Sequence, residues 1–152
     1  MKKILMILAI SSLILTDCKR GSDMGVEVST YIDIAYKDHL GNDLLSSSSP
    51  SYFSANAIQV YTMINGTKTA VHHANYDYPQ NFLIYKNDSL KSYFIRIFLE
   101  NNETLLQLNP TITDTLTYTV DNSNGNSLLT KLWYNGSLKW AGGTAQEIVI
   151  MK

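Results

Sequence analysis

The sequence contains little cysteine and no apolar run long enough to span a bilayer. Cys18 is the only cysteine among 152 residues, so no disulfide can form within the chain. The longest apolar stretch, residues 4–15, falls short of the roughly 20 residues that a helix needs to cross the hydrocarbon core. We therefore expect neither a disulfide-stabilised scaffold nor a permanent transmembrane helix.

The sequence also lacks a strong charge of either sign. Its 12 basic and 13 acidic side chains give a net charge of −1, and removal of residues 1–17, with two lysines and one aspartate, leaves 10 and 12, or −2. Proteins that bind nucleic acid concentrate lysine and arginine against the phosphates. Lys19 and Arg20 are too few for a polybasic membrane patch. We expect no nucleic acid partner, and membrane attachment only through a lipid.

The N-terminus has the organisation of an export signal. Lys2 and Lys3 precede the apolar run 4–15, and this order is typical of a cleaved signal peptide. The tetrapeptide Leu15-Thr16-Asp17-Cys18 resembles a bacterial lipobox, in which the cysteine is lipidated and becomes the mature N-terminus. We predict a lipoprotein signal peptide at 1–17, lipidation of Cys18 and a tether at 18–25.

One residue of this signal departs from the lipobox pattern. Asp17 occupies the position before the cysteine, where a small uncharged residue is usual, so ordinary signal-peptidase cleavage and a free thiol are the alternatives. Lys19 and Arg20 stand where an acidic run resembling a surface-export signal would otherwise lie. We therefore predict an exported protein anchored at an outer membrane and facing the periplasm rather than the cell surface.

From residue 26 onward the dominant pattern is a two-residue alternation, which is typical of strands with one buried face. In 115–120, Leu116, Tyr118 and Val120 alternate with threonines, and 26–35 alternates in the same way. Other segments rich in β-branched and aromatic residues predict further strands. These segments are 57–64, 67–73, 81–85, 93–99, 128–134, 138–140 and 146–151.

The clearest local prediction is a C-terminal hairpin around Asn135-Gly136. Asn-Gly as a two-residue loop favours a type I′ turn, whose twist matches that of the flanking strands. A regular register would pair Trp133 with Leu138 and Lys131 with Trp140, and would place both indoles on one side of the hairpin. The indoles would then either cover the core or form an exposed aromatic strip.

The number of short strands and turns predicts an all-β fold with one domain at 26–152. Short strands with turns every eight to twelve residues are typical of a β-sandwich. We expect seven to nine antiparallel strands after the cleaved signal peptide.

Three segments resemble those of small secreted lipoproteins of Bacteroidetes. These are Gly41-Asn42-Asp43-Leu44-Leu45, Ile58-Gln59-Val60-Tyr61 and the Trp133-Tyr134-Asn135-Gly136 hairpin. The resemblance implies an immunoglobulin-like or transthyretin-like β-sandwich in the cell envelope, without an assigned activity. It adds an expected cellular location and an expected fold family to the pattern above, but no function.

The candidate metal ligands have simpler interpretations. Asp38, Asn42 and Asp43 do not match the spacing of a calcium-binding loop and suit a turn that uses Asp and Asn to bond its own backbone. His72 and His73 would point to opposite faces of a strand, so they would not share a metal. We predict no metal site and no cofactor.

No arrangement of residues predicts catalysis. A Gly-x-Ser-x-Gly elbow is absent, and Cys18 lies at the mature N-terminus. We predict a non-enzymatic envelope lipoprotein that acts as a structural or protein-interaction module, with a hydrolase as the least favoured alternative. The main alternative is a carbohydrate-binding module that uses exposed aromatic side chains. The candidate ligand-binding aromatics are Tyr76, Tyr78, Trp133 and Trp140.

Overall fold

The computed structural model describes residues 28–101, 103–143 and 145–152, so the predicted signal peptide 1–17, Cys18 and the tether 18–25 lie outside the described residues. The regular structure of the described residues consists of strands and two short 3-10 turns, Ala55–Ala57 and Ser123–Gly125. The strands are β1 (Val28–Ser29), β2 (Tyr31–Lys37), β3 (Gln59–Ile64), β4 (Thr67–Ala70), β5 (Phe82–Asn87), β6 (Ser92–Phe98), β7 (Glu103–Asn109), β8 (Ile112–Asp121), β9 (Ser127–Tyr134), β10 (Ser137–Ala141) and β11 (Glu147–Met151).

The strands form two sheets that pack face to face. The larger has seven strands in the order β1-β9-β8-β7-β3-β4, with β10 also paired to β9, and the smaller has four in the order β11-β2-β6-β5. Alternate side chains of both sheets meet in one core, where Ile32, Ile95 and Ile97 of the smaller sheet join Leu106 and Leu116 of the larger. The predicted all-β sandwich is confirmed.

The sandwich has more strands than expected, and not all of them are antiparallel. Its described residues contain eleven strands, slightly more than the predicted seven to nine. Two pairs are parallel, β1 with β9 and β11 with β2. The predicted strand 26–35 is interrupted at Thr30, and the chain passes there from the larger sheet to the smaller. Parallel pairs of this kind arise from long connections between strands that are distant in sequence.

The sequence pattern does not predict the strand β7, because its residues do not alternate between apolar and polar. Leu106 and Leu108 are buried in the core, but Leu105 lies between inward positions and is only half-buried on the outer face. Three leucines in four residues therefore do not show the two-residue period that marks a strand with one polar face.

The predicted C-terminal hairpin is formed by β9 and β10. Asn135 and Gly136 have φ angles of 48° and 77°, as a type I′ turn requires at its two central residues. The Asn135 side chain also accepts a 2.7 Å hydrogen bond from the backbone N–H of Thr115 on β8. The turn is thus tied to the neighbouring strand of the larger sheet.

The predicted register of this hairpin is correct for its first pair and wrong for its second. Leu138 pairs with Trp133, but a register shift after Leu138 pairs Trp140 with Leu132 instead of Lys131. Since one inserted residue moves every following side chain to the other face, Trp140 lies on the core side and Trp133 on the outer side. The prediction that both indoles share one face is therefore wrong.

Candidate ligand-binding site

An open cleft of about 460 Å³ lies at one end of the four-stranded sheet, beside the loop that joins β4 to β5. Aromatic rings, carboxylates and amides line it together. The lining side chains include Tyr76, Tyr78, Phe98, Asp77, Glu100, Asn75 and Asn81. The cleft brings together two of the four predicted aromatic residues, Tyr76 and Tyr78, and adds Phe98, which sequence reasoning did not single out.

The loop is held against the sheet by backbone hydrogen bonds around Asn81. This residue is buried with a φ of 57°, a conformation that asparagine tolerates. Its N–H donates to the carbonyl of Tyr78 at 3.0 Å, and its own carbonyl accepts from the N–H of Phe98 at 3.0 Å. The N–H of His73 donates to the carbonyl of Pro79 at 2.7 Å and closes the loop. These bonds place Tyr78 next to the end of β6.

Two ring stacks set the orientation of the tyrosines. Tyr78 stacks on Phe98 with ring centroids 5.4 Å apart and planes 15° apart. Tyr76 stacks on His73 at 4.7 Å and 29°. Tyr76 nevertheless remains 61% exposed and Tyr78 39% exposed. Each tyrosine therefore has one packed face and substantial accessible ring surface at the cleft.

The charged side chains that line the cleft are both carboxylates. Asp77 and Glu100 line it, whereas its lining among the described residues contains no lysine or arginine. Glu100 accepts from Nε2 of His73, which lies 2.9 and 3.1 Å from the two carboxylate oxygens. Glu100 is thus oriented by a partner, and Asp77 is exposed at the rim.

The two tryptophans lie away from this cleft and from each other. Trp140 packs against the core, and its Nε1 donates to the carbonyl of Ala145 at 2.6 Å. It borders a separate cleft of about 340 Å³ with Tyr31. Trp133 is half-buried on the outer face of the larger sheet, where it pairs with Thr117. The four predicted aromatics therefore do not form one site.

A second candidate surface, which the sequence analysis does not predict, is the outer side of the four-stranded sheet. It is called here the aromatic face. The strand pairings place its large side chains on that side, opposite the core. They are Tyr31, Leu83, Tyr85, Phe94, Phe98, Val149 and Met151. Their positions were discernible in 93–99, where both alternating sets are apolar or aromatic except for Arg96. Such a strand is expected to bury side chains on both faces.

An ion pair at the centre of the aromatic face fixes its geometry. Arg96 donates from Nε and a terminal nitrogen to the two carboxylate oxygens of Asp33 at 2.9 and 2.8 Å. The hydroxyl of Tyr85 donates to the same carboxylate at 2.9 Å, and the guanidinium lies 3.9 Å from the ring centroid of Tyr31. Burial, together with the hydrogen bond to Asp33 and its charge, raises the pKa of Tyr85 to about 12. Hydrogen bonding to Asp33 raises the pKa of Arg96 above its ordinary value.

The candidate calcium ligands form the predicted turn. Asp38 accepts hydrogen bonds from the backbone N–H groups of Leu40 and Asn42 at 2.9 and 2.8 Å, and the side-chain amide of Asn42 lowers its pKa. Asp43 accepts from the backbone N–H of Leu45 at 2.9 Å within the turn, and from that of Tyr93 on β6 at 2.6 Å. Both carboxylates thus bond to the chain itself, in agreement with the turn interpretation.

The two histidines contact different parts of the molecule. The strand β4 ends at Ala70, so the predicted strand 67–73 is too long, and His72 and His73 follow the strand instead of lying on it. His72 borders a small cleft of about 170 Å³, and His73 pairs with Glu100. Within the described ranges, no group of three or more His, Cys, Asp or Glu side chains is placed to hold a metal ion.

No protein-family model, curated protein or solved structure matches this chain. Over the described part of the chain, no helix is both long and apolar enough to cross a membrane. The function is therefore inferred from the chemistry of the Tyr76–Tyr78 cleft and of the aromatic face.

Proposed function

We propose that this chain is an exported, non-enzymatic lipoprotein whose β-sandwich serves as a structural or protein-interaction module of a bacterial cell envelope. The apolar run 4–15 followed by Cys18 supports export and lipid attachment. The resemblance to small Bacteroidetes lipoproteins supports the same location in the cell envelope. In this proposal the lipid anchors the domain at the outer membrane, on its periplasmic side.

The observation that carries the interaction role is the composition of the aromatic face. Interface cores are enriched in tyrosine, phenylalanine, methionine and arginine, and tyrosine and arginine dominate binding hot spots. On this face, Val149 and Met151 are 56% and 57% exposed, next to the half-buried rings of Tyr31 and Tyr85. The Asp33–Arg96 pair neutralises its own charge, so a partner would meet a rigid and largely apolar surface.

The contacts of the buried carboxylates also support a non-catalytic role. Asp33 is held by Arg96 as described above. Asp114 is buried, and one of its oxygens accepts from Lys152 Nζ at 2.6 Å and from the side-chain amide of Asn135 at 2.9 Å. Asp33 therefore joins β2 to β6, and Asp114 joins β8 to the Asn135 turn and to Lys152 through one oxygen, while its other oxygen is buried without a hydrogen-bond partner among the described residues.

The interaction role is tested by site-specific photo-crosslinking of the full chain in intact envelopes. A crosslinker at Val149, on the aromatic face, is expected to give one reproducible protein adduct. The matched control is a crosslinker at Thr69, which is also exposed, on β4 of the other sheet, and should give none. Equal adducts from both positions, or no adduct from Val149, would contradict the proposal.

The anchoring is tested on the same material by detergent phase partition. We expect the wild-type chain in the detergent phase and the Cys18→Ser variant in the aqueous phase, because each buried methylene of an acyl chain contributes about 0.8 kcal/mol. A wild-type chain that stays in the aqueous phase would show that Asp17 prevents lipidation.

The second candidate function is carbohydrate binding, and the Tyr76–Tyr78 cleft favours it. Sugar rings present apolar C–H faces and many hydroxyls, so their sites combine aromatic rings with polar side chains. The cleft combines the exposed ring of Tyr76 with the carboxylates of Asp77 and Glu100. Phe98 belongs to both surfaces, at the end of β6, whereas Val149 lies on β11, so a saccharide in the cleft would cover only one end of the aromatic face.

A further inference from the structure

The Tyr76–Tyr78 cleft has a rigid aromatic floor. The stack of Tyr78 on Phe98 joins the loop to β6, and the stack of Tyr76 on His73 fixes the second ring. The buried Asn81 joins the same loop to the strand, because its N–H donates to Tyr78 within the loop and its carbonyl accepts from the N–H of Phe98 on β6. Because the rings are already oriented, a ligand would lose little affinity to the ordering of these side chains.

The polar groups around this floor suit hydroxyl groups. Asp77 and Glu100 supply carboxylate oxygens, which accept hydrogen bonds, and Asn75 supplies an amide that both donates and accepts. Glu100 is held by His73 through contacts of 2.9 and 3.1 Å. Hydrogen bonds from a hydroxyl to a charged acceptor are stronger than those between neutral groups.

The charge of the lining then selects among saccharides. We propose that the cleft binds a saccharide without acidic groups, whose ring lies on Tyr76 and whose hydroxyl or amino groups donate to Asp77 and Glu100; this inference rests on the second proposed function. A uronic acid or a phosphorylated or sulfated sugar would bring an anion beside two carboxylates, with no lysine or arginine of the described lining to compensate. An amino sugar would gain attraction both to the carboxylates and to the tyrosine rings.

The contrast with another cleft of the molecule supports this selection. A cleft of about 430 Å³ is lined by two lysines, Lys86 and Lys91, and by one carboxylate, that of Asp43. An anionic saccharide would therefore find cations elsewhere on the surface, but not beside Tyr76.

The test uses the full chain, inserted through its lipid into nanodiscs that contain no sugar detergent. It is applied to a panel of neutral, amino-bearing and uronic-acid oligosaccharides, and each hit is measured by isothermal titration calorimetry. We expect saturable binding of neutral or amino-bearing members. Tyr76→Ala and Tyr78→Ala should each weaken it at least about tenfold, as expected for a residue that carries much of the binding energy. Tyr52→Ala removes another exposed tyrosine outside the cleft and should leave the affinity unchanged.

A separate variant tests whether the charge of the cleft selects among saccharides. Asp77→Asn keeps the shape of an exposed rim residue and removes its charge, so it should reduce the preference for amino-bearing over uronic-acid oligosaccharides. Uronic-acid binding that depends on Tyr76 would overturn the charge selection but leave carbohydrate binding intact. No binding to the whole panel, or binding insensitive to both tyrosine variants, would overturn both. Neither result would alter an adduct formed from Val149.

Discussion

The two outer faces of the sandwich differ, although both belong to strands with a two-residue alternation. On β8 of the larger sheet, Thr115, Thr117 and Thr119 alternate with buried residues such as Leu116 and form a polar row, half-buried at its first two positions and exposed at the third. On β2 of the smaller sheet, five consecutive residues from Ile32 to Tyr36 are buried, including Asp33. Alternation therefore identifies a strand, but it does not show whether the second face contacts solvent.

The burial of the outer side of β2 comes from its neighbouring strands. β2 is an inner strand, paired with β11 on one side and β6 on the other. Ala35 is opposite Val149, and Asp33 is opposite Arg96 and Glu147. Long side chains from both neighbours thus cover the small and polar residues of β2, as cross-strand pairs do elsewhere. On β8, Thr117 also lies between two large neighbours, Glu103 and Trp133, yet it stays half-buried, and Thr119 stays exposed.

The largest expected effect tests the buried carboxylate of the aromatic face. Asp33→Ala should lower the free energy of unfolding by about 2 to 4 kcal/mol, since it leaves Arg96 and Tyr85 without their acceptor. The partial exposure of Arg96 keeps the loss below that of a fully buried pair. The matched control, Thr117→Ala on the polar face, should change it by less than about 0.5 kcal/mol. Urea denaturation measures both, and equal losses would remove the distinction between the faces.

A second prediction compares the two tryptophans of the hairpin. Trp140→Ala should cost about 2 to 3 kcal/mol because its indole packs against the core and donates a hydrogen bond to Ala145. Trp133→Ala should cost only about 1 kcal/mol, because that indole lies on the outer face of the larger sheet beside Thr117. Thermal denaturation of the two variants gives the order. A larger cost for Trp133 would contradict the bulge that separates the indoles.

The smallest effect concerns alkaline pH. Because the pKa of Tyr85 in the folded chain is raised to about 12, above about 10 in the unfolded chain, its contribution to stability is fully present below about pH 10. It is lost as the pH rises through about 12, because over this range the tyrosine ionises in the unfolded chain before it ionises in the folded chain. The wild type should therefore lose more stability between pH 9 and 11 than Tyr85→Phe does. Equal losses in denaturant titrations at the two pH values would contradict the proposed contact with Asp33.

Much of the architecture could be predicted because it depends on neighbouring residues. Alternation in β8, the type I′ turn at Asn135-Gly136 and the turn held by Asp38 are all local, and the structure contains each of them. Tyr76 and Tyr78 are two residues apart on one loop, so their common location also followed from the sequence. Phe98 could not be added to them, because it reaches the cleft from a strand about twenty residues away.

The sequence by itself determined an all-β chain, its main turns and a tyrosine-bearing loop, because hydrophobic periodicity and turn chemistry act over a few residues. Only the tertiary structure decided the parallel pairing of β11 with β2, the side of the sheet on which Trp140 lies, and the partner of Asp33. A single bulge reverses the side of every later residue in a strand, and an ion pair between Asp33 and Arg96 joins residues that only sheet formation brings together. For the same reason, the cleft and the aromatic face are properties of the assembled sheets rather than of any one segment.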